Sequence, residues 1–189
     1  MYCPKQYASL RNFEPEKSIM VAYFSATGVT KSVARGLACA IDATEYEIVP
    51  LIPYTQEDLD WRNRNSRSSV EMHDPDSRPM IARRMDDVSA HDIIFLGFPI
   101  WWGTAPTIIK TFLESHDLYK KRIILFATSG GSGMGNTADD LKESAGRGKI
   151  VGASILTGRE SDDELREWAK QFCSDEDRPA DAGSWFQSK

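Results

Sequence analysis

The chain has 189 residues, 41% hydrophobic and 27% charged, which suits one soluble globular domain with a sizeable core. A net charge of −5 and a pI near 5.3 argue against a nucleic-acid partner. Three scattered cysteines (Cys3, Cys39, Cys173) without C-x-x-C spacing, and three separated histidines (His73, His91, His116), argue against a zinc or iron–sulfur site.

Residues 1–17 read as an N-terminal extension. They contain no apolar signal core, and no later run approaches a membrane span, so a cytoplasmic protein without membrane contact is expected. Ser18 to Phe24 is the first strand. It stops at Ser25-Ala26-Thr27-Gly28-Val29-Thr30, where a helical pattern begins at once, with Val33, Leu37 and Ile41 at i, i+4, i+8 and Ala34 and Ala38 widening the stripe. Cys39 falls on or near that inner stripe, as a plain buried thiol. Thr44 to Val49 is the second strand. Tyr46 and Ile48 alternate with Glu45 and Glu47 there, as on a sheet edge.

Ile52 to Met80 breaks the pattern. It is rich in Arg, Asn, Ser and Asp, lacks a helical or strand period, and reads as a long insertion of functional or irregular character. Ile81 to Ala90 is expected as a short charged helix. Asp92 to Gly97 and Arg122 to Ala127 are nearly continuous apolar runs, as in central parallel strands covered on both sides. Between them, Thr104 to Leu113 forms a helix with Pro106 in its first turn. Asn136 to Ala145 is a fourth helix, Lys149 to Ser154 a fifth strand. Asp162 to Cys173 is a last helix with Leu165, Trp168, Ala169 and Phe172 inward. Residues 174–189 read as an acidic tail containing Trp185-Phe186. Strand–helix alternation throughout predicts a doubly wound α/β fold around a five-stranded parallel sheet. Such sheets bind ligands beyond the carboxyl ends of their strands.

Three strand ends carry chemistry. At the first, Ser25, Thr27 and Thr30 sit where the opening N–H groups of a helix lack partners. Those donors, with the positive end of the helix dipole, favour a phosphate. A plain N-cap accounts for the same hydroxyls. A P-loop would need glycine before Lys31, where Thr30 stands, and the dinucleotide fingerprint needs three glycines in a turn that has one. At the third strand end, Pro99-Ile100-Trp101-Trp102-Gly103 places two tryptophans in a turn, as a flat wall for a planar ligand or as packing for the helix below. At the fourth, Thr128-Ser129-Gly130-Gly131-Ser132-Gly133 permits close backbone approach to a ligand, or is a surface turn. Together the three loops describe a site for a phosphorylated planar heterocycle.

The Tyr23-Phe24-Ser25-x-Thr27-Gly28 and Pro99-x-Trp101-Trp102-Gly103 segments resemble those of the flavodoxins, and the resemblance extends from about Ile19 to the last helix. It implies sheet order 2-1-3-4-5 in a single flavodoxin-like domain, with FMN at the gap between strands one and three. Its phosphate would lie on Ser25 to Thr30 and its ring between Phe98–Thr104 and Thr128–Gly133. It also implies an electron-transfer protein shuttling electrons through FMN between redox partner proteins or a small-molecule acceptor, as a monomer or weak dimer. The alternative is an FMN-dependent NAD(P)H:quinone, nitro or azo oxidoreductase. The third loop lacks the tyrosine that flavodoxins usually stack on the outer flavin face, which leaves that face open or covered by the insertion. Tyr54, Asp58, Asp60, Trp61, Arg62, Arg67 and Arg78 are the insertion's candidate rim residues.

Overall fold

The computed structural model describes residues 18–173; the expected N-terminal extension and acidic tail lie outside them. Five strands run β1 (Ile19–Tyr23), β2 (Thr44–Glu47), β3 (Ile93–Pro99), β4 (Arg122–Thr128) and β5 (Lys149–Ile155). All pair in parallel in the order β2-β1-β3-β4-β5, with registers such as Ala22↔Leu96↔Leu125↔Ala153. This is the flavodoxin-like doubly wound sheet that the alternation and the resemblance imply.

Because neighbouring side chains on a strand point to opposite faces, each strand feeds two cores. On one face Val21, Tyr23, Phe95, Ile124 and Phe126 meet α1 (Val29–Ala40) and α5 (Asp162–Lys170) through Leu37, Leu165 and Trp168. On the other, Met20, Ala22, Phe24, Ile94, Leu96 and Phe98 meet α3 (Ile108–Glu114) through Ile108, Ile109 and Phe112. The α1 stripe of Val33, Ala34, Leu37 and Ala38 is buried, as its period requires, but Cys39 lies on the exposed side of the helix and not in the core. At the sheet edge, Glu45 accepts bonds from the buried Tyr23 hydroxyl (2.7 Å) and from Arg35 (3.0 Å), while Lys31 pairs with Glu47 (2.6 Å). The acidic side of β2 is therefore pinned to α1. α5 begins at a full capping box between Ser161 and Glu164.

Three further expectations change. Ile81–Ala90 is not a helix: Ile81 bridges Pro50 in antiparallel fashion, and only Val88–Ala90 winds, as a 3₁₀ turn. The insertion contains its own helix, α2 (Arg67–His73), capped by the Ser66 hydroxyl. The third and fourth inter-strand helices are shorter than their patterns. Pro106 precedes α3 in a lead-in turn, its carbonyl accepting from Ile109 (2.9 Å), and α4 spans only Thr137–Asp140 before dissolving into turns. Among the described residues, no helix is long and apolar enough to cross a membrane, and no group of His, Cys, Asp and Glu could hold a metal ion.

Candidate functional site

The parallel pairing brings the ends of β1, β3 and β4 to one edge of the sheet, and backbone bonds lock them there. Phe24 N–H donates to Gly97 carbonyl (2.9 Å), and Ile100 N–H to Thr128 carbonyl (2.9 Å). Beneath the loops, the Thr30 and Thr128 hydroxyls meet at 2.8 Å, both buried.

The turn after β1 is not a plain N-cap. α1 starts from Gly28, whose φ of 91° lies in the left-handed region that glycine enters without steric cost, and no side chain caps the helix. Ser25 Oγ turns back to accept the Gly28 N–H (3.1 Å), and Ser32 is the first residue whose N–H finds a helical acceptor, at Gly28 carbonyl (3.0 Å). Thr27, Gly28 and Val29 are exposed around these donors. An uncapped first turn ringed by hydroxyls is a cradle for an anionic oxygen cluster.

The turn after β3 is a two-residue hairpin. Trp101 and Thr104 exchange both backbone bonds (2.9 and 3.0 Å), with Trp102 and Gly103 between them at φ 47° and 81°. Glycine suits such a place; a tryptophan there is strained, at a cost of about 1–3 kcal/mol. Trp101 is held edge-on by Phe24 (5.6 Å) and Tyr54 (5.4 Å), while Trp102 is 43% exposed and touches only the His73 ring edge-on (6.1 Å) among the described aromatic pairs. One indole is therefore structural as well as lining, and the other is presented.

These turns border a cavity of about 350 Å³. Ala26 and Thr27 line it from the first loop and Pro99, Ile100, Trp101 and Trp102 from the second. Of the other residues expected at the site, Ser25, Gly28 and Val29 flank the cradle, Thr30 and Thr128 lie buried under it, and Gly103 completes the hairpin. Ser129, Gly130, Gly131, Ser132 and Gly133 do not line the cavity. Ser129 Oγ instead accepts from Gly131 N–H (3.1 Å) and Ser132 N–H (2.7 Å), folding that loop on itself.

The insertion supplies the remaining lining: Leu59, Trp61 and Ser68. Leu59 and Ser68 escape sequence reasoning, since no period ties them to the site; the Ser66-x-x-Ser69 cap signal ahead of α2 was the available clue. Other rim candidates have structural work. Arg67 donates to Glu71 (2.7 Å) and to Ile52 carbonyl (2.7 Å) while stacking on the Tyr54 ring (4.1 Å). Tyr54 hydroxyl donates to Glu71, and burial first, then that bond, pushes its phenol far above the ordinary range. Arg78 grips Glu114 with two bonds (2.7 and 3.0 Å). Asp58 accepts the Thr55 N–H (2.9 Å), which holds its carboxyl below the usual range, and Asp60 accepts the Arg62 N–H (3.1 Å).

The lining contains hydroxyls and indoles but no carboxylate, and it adjoins uncapped backbone donors. That donor set fits a phosphate joined to a flat apolar ring.

A family model described as flavodoxin matches residues 18–172. No curated protein matches. Among solved structures, a protein from Bacteroides eggerthii assigned as a flavoprotein is 44% identical, covering 84% of this chain and 99% of its own, with a TM-score of 0.79. A Bacteroides uniformis protein with the same assignment is 43% identical, covering 82% and 98%, with a TM-score of 0.77. A Lactobacillus acidophilus flavoprotein, solved in complex with FMN, shares the fold at 23% identity, 81% and 99% coverage and a TM-score of 0.63.

Proposed function

Because the chain belongs to the flavodoxin family, we propose that it holds FMN in this cavity and passes electrons between redox partners, as a single folded unit in the cytoplasm, monomeric or weakly dimeric. The observation that carries the reading is the uncapped start of α1 at the foot of a cavity walled by indoles.

Bound FMN would supply reversible electron uptake; the chain's part is binding, orientation and electrostatics. The first N–H groups of α1 and the Thr27 hydroxyl hold the phosphate without a fixed cation. The buried Thr30 and Thr128 hydroxyls share one hydrogen bond, which leaves one hydroxyl hydrogen of the pair for a further acceptor. The strained Trp102 offers its ring face, and the backbone of Gly103 is available to polar ring edges, whereas the Ile100 N–H is already given to the Thr128 carbonyl. Apolar walls disfavour added negative charge, which lowers the potential at which the loaded protein accepts electrons. Arg67 and Arg78, candidate clamps for a nicotinamide phosphate, are occupied by Glu71 and Glu114, which favours the carrier over the NAD(P)H oxidoreductase.

The test is an anaerobic absorbance titration of the FMN-loaded protein. Dithionite should reduce it in two separate one-electron steps, visible as a long-wavelength band that rises and falls, and NADPH should leave the spectrum unchanged. Rapid bleaching by NADPH would overturn the carrier reading in favour of the oxidoreductase. A protein that stays colourless with FMN present would overturn both.

A further inference from the structure

The cavity's outer wall comes from the insertion, one of the two outcomes left open for that face. The glycine-rich loop after β4 contributes no lining side chain, whereas Leu59, Trp61 and Ser68 of the insertion all do. Trp61 is 66% exposed, so the core gives no reason for an indole at that position.

Its loop is nonetheless firmly built. Thr55 and Asp58 exchange bonds (2.9 and 3.1 Å), Asn63 N–H reaches Asp60 carbonyl (3.0 Å), and Ser68 N–H reaches Asp58 carbonyl (3.0 Å). Under it lies the Tyr54–Glu71–Arg67 network, joined to Trp101 through the Tyr54 ring. The Arg62 guanidinium rests over the Trp61 ring at 5.0 Å, covering one face of the indole and leaving the other available. Ser68 adds a polar group. It is only 2% exposed, and among the described residues its hydroxyl reaches just the Ser66 hydroxyl, at 3.5 Å, the outer limit of a hydrogen bond.

We propose that Trp61 is the second aromatic wall of the ring site. The planar group is held between Trp61 and the Trp101–Thr104 hairpin, with the Ser68 hydroxyl donating to a heteroatom at its edge. The insertion thus takes the place of an aromatic residue that the β4 loop lacks. A ring covered on that face cannot be stacked upon by a nicotinamide, so electrons exchange through its open edge. The inference rests on the FMN reading.

The experiment compares wild type, Trp61→Ala, Trp61→Phe and Ser68→Ala by fluorimetric FMN titration, with thermal melts of the ligand-free proteins. Wild type should bind FMN with strongly quenched emission. Trp61→Ala should bind at least fivefold more weakly and emit at least twice as brightly, Trp61→Phe should recover most of both, and Ser68→Ala should lose severalfold affinity with emission still quenched. The high exposure of Trp61 means its melting point should not move. If wild type binds and Trp61→Ala matches it in affinity and emission, this wall is wrong while the FMN reading stands. Weaker binding with unchanged emission would make Trp61 a loop-packing residue and overturn the proposal. If wild type itself fails to bind, both readings fall.

Discussion

Thr27 and Thr30 look interchangeable on the page, two hydroxyls flanking one glycine, yet they live in different solvents. Thr30 is 1% exposed and hydrogen-bonded to Thr128, whereas Thr27 is exposed and lines the cavity. Removing them should therefore produce different losses. Thr27→Ala should weaken FMN binding about tenfold, roughly 1.4 kcal/mol, with an unchanged urea midpoint. Thr30→Val should also destabilise the ligand-free protein by about 1 kcal/mol, because the buried Thr128 hydroxyl loses its partner. Paired fluorescence titrations and urea melts check both, and identical behaviour of the two variants would contradict this division of roles. Arg67 and Arg78 make the same point from the other side. Their charge suggests a ligand clamp, and only the fold reveals that Glu71 and Glu114 already hold them.

Among the elements, the end of α3 carries a titration switch in stability. His116 packs its ring 4.7 Å from Phe112, and its Nδ1–H donates to Phe112 carbonyl at 2.7 Å. Burial first, and then the charge of Arg84, holds its pKa below the ordinary value of 6.5; burial acts likewise on His91. In the unfolded chain both protonate as pH falls through 6.5, while in the folded chain they resist. The unfolded state then binds more protons, and stability drops from that pH downward to the folded values. The melting temperature should accordingly decline between about pH 7 and pH 5, and His116→Asn should flatten that slope; an equal slope in the variant would assign the effect elsewhere. Elements differed in how plainly the sequence announced them. The strands were legible because continuous apolar runs such as Ile93 to Phe98 have no other use in a polar chain. α2 was not, because its inward face is Ser68 and Ser69 while the apolar Val70 is exposed, the reverse of the usual pattern. Ile81 to Ala90 misled for a related reason: charge spacing alone carries no information about pairing with Pro50. The loop motifs at the strand ends exposed two sides of the site. Its third side depends on where a long irregular segment folds back, which no local period encodes.

At the scale of the whole molecule, ligand and fold should be linked. A ligand that binds only the native state at one hundred times its Kd adds about 2.7 kcal/mol. For a chain of this size that is a rise of roughly 5–11 °C in melting temperature. FMN should produce such a shift, and riboflavin at equal concentration a distinctly smaller one, because only FMN carries the phosphate that we propose for the uncapped start of α1. Equal shifts in a thermal melt would remove the phosphate from the account. The placement of the insertion has a further meaning for how the chain folds. β1 and β3 must find each other across the sequence between Ser18 and Asp92, 74 positions apart, and the 52–80 segment supplies well over a third of that distance. Chain-closure entropy grows only with the logarithm of loop length, so those extra residues burden the β1–β3 encounter by about 0.4 kcal/mol. That is less than the typical net worth of one hydrogen bond, about 0.5–1.5 kcal/mol. The crossover from the edge strand β2 to the central β3 could thus be lengthened into a wall of the cavity with almost no penalty on the search for the native topology.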